Sequence, residues 1–185
     1  MMPAIAVSEY AVTVPDGINQ NMSSFEHSGW ALVHKISSDE SVLDVGCGVN
    51  VFKGKIANLV GIDPVAKEAD VKSGIEEYAT DQKFDVALCL GSFRYGTREH
   101  IEFMINKLVS LLKPAARIYW RCRPTGTGYG PHGTTDVNGA DIFFWSEQDH
   151  IEWAEKFGFE LVQLKRERTD SAVRVRIYAE WQRIT

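Results

Sequence analysis

The sequence predicts an α/β fold: a mostly parallel sheet layered between helices, in one domain. Three observations carry this. Short apolar runs bounded by turn residues recur along the chain, and runs apolar on both faces suit parallel strands covered on both sides. They alternate with helical patterning, as in strand–helix–strand units with right-handed crossovers. The chain then closes on two strand-like runs in succession, which predicts an antiparallel terminal element. At 185 residues it is long enough for one domain with a single substantial core.

Residues 1–20 carry no strong period and read as an N-terminal arm, leaving 21–185 as the domain. Ser23-x-x-Glu26 is a capping box, and Phe25, Gly29, Leu32, Val33 and Ile36 then share one helical face. Val42–Val45, Leu59–Ile62 and Phe84–Leu90 are the first apolar strand runs. Ile101, Met104, Ile105, Leu108, Val109 and Leu112 form an amphipathic helix between Thr97 and Leu112, which Lys113 and Pro114 end. Arg117–Arg123 is the next strand, and a long polar loop runs from Pro124 to Asp141. Ser146 with Asp149 opens a helix through Phe157, closed by Gly158. Phe159–Leu164 and Val173–Gln182 are the closing strands, joined by the charged turn Lys165–Ser171.

Composition bounds the function. Hydrophobic residues make up 44% and charged residues 24%, ordinary values for a globular chain. A net charge of −5 gives no electrostatic case for broad nucleic-acid binding. Cys47, Cys89 and Cys122 read as reduced thiols without metal-ligand spacing, so no metal site is expected. The start lacks a basic region followed by a long apolar run, and no stretch approaches membrane-spanning length. A cytoplasmic location and no membrane partner are therefore expected.

Residues 42–50 read VLDVGCGVN, and Asp63 follows in LVGID. An apolar strand ends in a carboxylate and a glycine turn, and the next strand ends in a second carboxylate. This suits an adenosine-containing ligand across two strand ends, with the second acid placed for the ribose hydroxyls. Val51 breaks the dinucleotide pattern G-x-G-x-x-G, and no G-x-x-x-x-G-K-S/T phosphate loop exists. The segment resembles the cofactor loop of class I S-adenosylmethionine (SAM) dependent methyltransferases, and the element order resembles that fold from about Ser23 to the end.

The resemblance implies a Rossmann-like, seven-stranded, mostly parallel sheet with an antiparallel last strand, in three α/β/α layers. It implies SAM as cofactor, bound by Asp44, Gly46, Cys47, Gly48, Asn50, Asp63, Pro64, Ser73, Ile75, Leu90 and Gly91. Asp44 is suited to the methionine ammonium, Asp63 to both ribose hydroxyls, and Ser73 to Glu76 would lie beside adenine. The chain departs from the pattern in three places. Asn50 stands where a third glycine is common, narrowing the pocket or adding a side-chain hydrogen bond. Gly74 occupies the place where an adenine-contacting carboxylate is usual. Only Val51–Asn58 and Pro64–Ala69 connect the first three strands, too few residues for crossover helices of about three turns.

Those stubs predict a sheet with one thinly covered face. Arg117, Tyr119, Arg121 and Arg123 alternate with apolar residues, as do Arg174, Arg176, Tyr178 and Glu180. Their polar sides would form a wet Arg/Tyr face: a solvated surface, a homo-oligomer contact or an anionic-partner surface. Methyl transfer is an in-line displacement that positioning alone can accelerate, so no catalytic residue is demanded. Candidates near the acceptor are Arg94, Tyr95 and His132. The function implied is methyl transfer to an unidentified small-molecule or macromolecular acceptor. Leu90-Gly91-Ser92-Phe93 replaces the Asn/Asp-Pro-Pro-aromatic motif of nucleobase amino-methylating enzymes. The alternatives are an inactive fold relative acting as a binding partner, and another SAM-using reaction such as cleavage or aminopropyl transfer from the decarboxylated cofactor.

Overall fold

The structure is a computed structural model that describes residues 30–124, 134–135, 140–168 and 175–185. Its element order is α1 (Trp30–Val33), β1 (Ser41–Val45), β2 (Asn58–Ile62), β3 (Phe84–Cys89), α2 (Arg98–Ser110) and β4 (Leu112–Cys122). The two-residue strands β5 (Thr134–Thr135) and β6 (Asp141–Ile142) follow, then α3 (Glu147–Lys156), β7 (Phe159–Arg168) and β8 (Val175–Arg183). The arm, the Ser23 capping box, Arg174 and His132 lie outside the described residues.

Six strands form one sheet in the order β2-β1-β3-β4-β8-β7. β1 to β4 are parallel, while β8 is inserted between β4 and β7 and runs antiparallel to both. The expected mixed sheet with its antiparallel ending is present. The seventh strand is reduced to one parallel bridge, Ile62↔Val71, on the outer side of β2. Here the Ser73 amide turns back onto the Val71 carbonyl at 3.0 Å, which ends pairing before a second bridge can form. Residues 51–57 and 63–70 hold turns and no helix, as their length dictates.

Alternation along each strand sorts side chains into two cores. Leu43, Val45, Ala87, Cys89, Ile118, Trp120, Ile177, Ala179 and Trp181 point to the face covered by α2 and α3. Val42, Val86, Leu88 and Tyr119 point the other way, against Leu32 of α1 and Phe52 and Ile56 of the stub. The second core is the smaller, as a face lacking crossover helices should be.

The polar face is corrected in one respect. It is not a wet surface: Tyr119 and Tyr178 are each only 2% exposed, Arg117 is bridged to Glu40, and Arg121 is half-buried. Aromatic bodies large enough to bury 150–250 Å² each are enclosed in place of missing helices.

Element ends also shift. α2 stops at Ser110 with Leu111 as its cap, so Lys113 and Pro114 belong to β4, which begins five residues before Arg117. Proline cannot donate to a ladder, and the register accordingly breaks between Phe84 and Val86, beside Ala115 at φ 60°. β7 runs on to Arg168, because Lys165 to Arg168 pair with Tyr178 to Val175 rather than turning. The Ser146/Asp149 capping box of α3 is present in both directions.

Candidate functional site

β1 and β2 bring the two predicted carboxylates to the same end of the sheet, the carboxyl end where open α/β sheets hold ligands. Between them the chain turns at Gly46 (φ 70°) and Gly48 (φ 55°). Both glycines are needed for backbone reasons, but their surroundings differ. A Cβ on Gly46 would lie 2.4 Å from the Ser92 Cβ, so this turn is packed directly against the segment after β3. A Cβ on Gly48 would meet nothing within 4 Å among the described residues, so none of them closes the loop there.

Asp63 builds this loop. Its Oδ2 accepts from the Gly48 amide at 3.1 Å, and its Oδ1 accepts from Val65 and Ala66 amides at 2.9 and 2.8 Å. Gly46 and Cys47 amides both donate to the Ile62 carbonyl, completing the clasp between the two strand ends.

Asp44 is different. It is 4% exposed, and among the described residues no donor meets its carboxylate. Burial pushes its pKa up to about 7; the Arg121 charge pulls it back down, and Asp63 pushes it further up. Buried polar groups are ordinarily bonded, and the Asp44 carboxylate keeps acceptor capacity that the described residues do not use.

Asn50 braces the loop. Its φ of 54° lies in the left-handed region that asparagine tolerates. Its side chain turns toward Gly61 and donates to the Glu68 carbonyl at 2.9 Å and to Asp70 Oδ2 at 3.4 Å. Of the two expected effects, the added hydrogen bond is the one observed.

Asp70, which the sequence reading missed, secures the stub after β2. It accepts from the Gly61 amide at 2.8 Å and from Lys53 at 2.6 Å. Burial raises its pKa, yet bonds from Gly61, Lys53 and Asn50 bring it below the ordinary carboxylate value. An acid seven residues beyond a strand-ending acid was the available signal.

The other predicted residues fall around this cleft with varied roles. Cys47 is buried with its thiol pushed up to about 12, by burial first and then by the charges of Asp44, Asp63 and Asp70, so it is no nucleophile. Pro64 is exposed beyond Asp63. Ser73 bonds the Gly74 carbonyl, and the Ile75 side chain is in the larger core, which leaves only its backbone for a ligand. Glu76 pairs with His100 Nε2 at 3.1 Å rather than standing in solvent. Leu90 and Gly91 (φ 109°) lead away from β3 toward Arg94 and Tyr95. There the Arg94 guanidinium lies 4.6 Å over the Tyr95 ring and donates to its hydroxyl. Both are half-buried and are strapped to the segment after the long loop by Phe143 N to Arg94 O, 2.7 Å. Among the described residues no cluster could hold a metal ion.

Arg121 enters the cleft unforeseen, donating from Nη2 to the Leu90 carbonyl at 2.6 Å. Alternation alone had assigned it to the outer surface; its place at the carboxyl end of β4 was the better guide.

No family model matches the sequence, and no curated protein does. Solved structures resemble it closely in shape. 1,6-Didemethyltoxoflavin-N1-methyltransferase of Burkholderia thailandensis, with its namesake compound and S-adenosylhomocysteine (SAH) bound, is 16% identical, with a TM-score of 0.74 over 92% of this chain and 82% of that one. The N-methyltransferase NodS of Bradyrhizobium japonicum, in complex with SAH, is 15% identical with a TM-score of 0.68, covering 92% of each chain. Magnesium protoporphyrin IX methyltransferase of Synechocystis, with SAM bound, is 18% identical with a TM-score of 0.61, over 83% of this chain and 77% of that one. The chain therefore has the fold of the class I SAM-dependent methyltransferases.

Proposed function

We propose that the chain is a SAM-dependent methyltransferase with its cofactor laid across the carboxyl ends of β1 and β2. The observation that carries this is Asp44: a buried carboxylate without a donor, beside a glycine loop open at Gly48. A methionine ammonium supplies the missing donor. The binding of SAM or SAH by the structural neighbours supports the same choice.

When bound, SAM supplies a methyl group on a sulfonium. The chain's own residues bind and orient. Asp44 would take the ammonium, and the Gly46–Gly48 turn would hold the methionine and ribose portions. Asp63 has less to give than the resemblance implied: two amides fill Oδ1, and one already bonds Oδ2. With two lone-pair sites per oxygen, it can accept one ribose hydroxyl. Cys47, Asn50 and Pro64 shape the loop, while Ser73 and the Ile75 backbone border the adenine side. Leu90 and Gly91 close the methionine side, and Arg94 and Tyr95 stand at the acceptor side. His132 remains a candidate outside the described residues.

The acceptor is a small molecule or a macromolecule. None of the described helices is long and apolar enough to cross a membrane. A cytoplasmic setting remains the expectation from sequence. Self-association through the Arg/Tyr face has little tyrosine surface to use, given the burial of Tyr119 and Tyr178. The reading of an inactive relative is favoured by one observation, the loss of helices and of an adenine carboxylate around residues 51–74.

Calorimetric titration with SAH tests the assignment. Micromolar binding by the wild type, lost in Asp44→Asn, is expected. Absence of binding at millimolar SAH would transfer the assignment to the inactive relative. Asp63→Ala is a poorer probe, because that side chain holds three backbone amides of the loop.

A further inference from the structure

We propose that Arg121 selects the form of the cofactor: it receives the α-carboxylate of the methionine portion, whose ammonium faces Asp44. This rests on the cofactor reading above and deepens it. Asp44, Leu88 and Tyr119 stand in one row across β1, β3 and β4. Leu90 and Arg121 lie two residues further along the same face, roughly 6–7 Å nearer the mouth of the cleft. Opposite charges thus share one wall of the cleft, and each feels the other.

They do not bond. Leu90 O is the one acceptor that meets the Arg121 side chain among the described residues, and Asp44 meets no donor. A guanidinium presents five donors in a planar fork, so most of its capacity is left, in a geometry that matches a carboxylate. Nη2 also lies 3.8 Å from where a Cβ on Gly91 would stand, beside the segment that closes the methionine side. Arg176 adds a like charge nearby, which makes an anion more welcome still.

An α-amino acid group offers what this wall lacks: an ammonium for Asp44 and, beside it, a carboxylate for Arg121. A decarboxylated cofactor would satisfy Asp44 and leave the desolvated guanidinium uncompensated. Aminopropyl transfer is disfavoured on that ground.

The test compares SAH with S-adenosyl-3-thiopropylamine, the same molecule without its carboxylate, by calorimetry on the full chain. The wild type should bind SAH at least about tenfold more tightly. In Arg121→Gln, SAH should weaken by about 10- to 100-fold, the scale of a charged hydrogen bond, while the amine changes less than about threefold. Arg121→Lys should fall between. Equal affinity of the wild type for both ligands overturns the proposal and leaves the cofactor reading intact. An unchanged preference in a folded Arg121→Gln does the same. Binding of neither ligand brings down the cofactor reading itself, and this proposal with it. Should Arg121→Gln fail to fold, the wild-type ratio and Arg121→Lys decide.

Discussion

Asp44→Asn should make the protein more stable and unable to bind SAH. The native pKa of about 7 stands against an unperturbed 3.8, because burial favours the neutral acid. A raised carboxylate contributes stability that is fully present below pH 3.8 and is lost as pH climbs to about 7. At about 1.4 kcal/mol per pKa unit, the charged form costs the folded state ~4 kcal/mol at pH 8 and less than ~2 kcal/mol at pH 5. Asparagine keeps the shape without the charge, and its unsatisfied amide costs ~1–2 kcal/mol. The net gain is ~2–3 kcal/mol at pH 8 and close to nothing at pH 5. In a chain of this size that raises Tm by roughly 5–10 °C at pH 8. Thermal melts of both proteins at the two pH values, with and without SAH, measure it. SAH at a hundredfold excess over Kd should add ~2.7 kcal/mol to the wild type and nothing to the variant. A variant no more stable than wild type at pH 8, or a gap that does not widen between pH 5 and 8, would refute the reasoning.

Three other tests probe the scaffold. His150 is fully buried with neither ring nitrogen bonded among the described residues, and burial drives its pKa from 6.5 down to about 3, opposed by Asp149 and Glu147. A lowered histidine penalises folding as pH falls below 6.5, so by pH 5 the wild type should lose ~2 kcal/mol relative to His150→Phe in denaturant titrations. Gly46→Ala should cost more than ~2 kcal/mol, since φ is positive and Ser92 leaves no room, whereas Gly48→Ala should cost only the ~1–2 kcal/mol of its backbone while sharply weakening SAH binding. Asp70→Ala removes bonds to Gly61, Lys53 and Asn50, and should destabilise by ~2 kcal/mol without moving the helical far-UV signal.

Local signals were legible where one physical cause acted alone. Ser146 and Asp149 announce α3 because a capping box is complete within four residues. Asp44 and Asp63 could be placed because strand ends and glycine turns are written contiguously. Legibility failed where partners come from afar. Arg121 looks solvated by alternation, yet its side chain is held by Leu90, 31 residues away. Tyr119 and Tyr178 look like surface residues until two antiparallel strands bring them under cover. The long strands β4 and β7 outran their apolar runs, because Lys113, Pro114 and Lys165–Arg168 are paired by neighbours rather than by their own propensity. Asn50 could be flagged as unusual, but the direction of its amide depends on Glu68 and Asp70.

The two unequal cores have a consequence for how the molecule reports on itself. Trp120, Trp145, Trp153 and Trp181 sit together on the α2/α3 side, with Trp145 and His150 stacked at 4.6 Å between ring centroids. They are four of the five tryptophans, and none lies in β1, β2 or the glycine loop. Intrinsic fluorescence is therefore weighted toward the α3 half of the domain, with Trp30 in α1 the one tryptophan in an element that covers the smaller core. If the smaller core loosens first, circular dichroism and the Trp30 share of the emission will change while the larger share from the α3 side still looks native. Non-coincidence of the two curves would then be the signature of a ligand-binding half that opens without unfolding the rest.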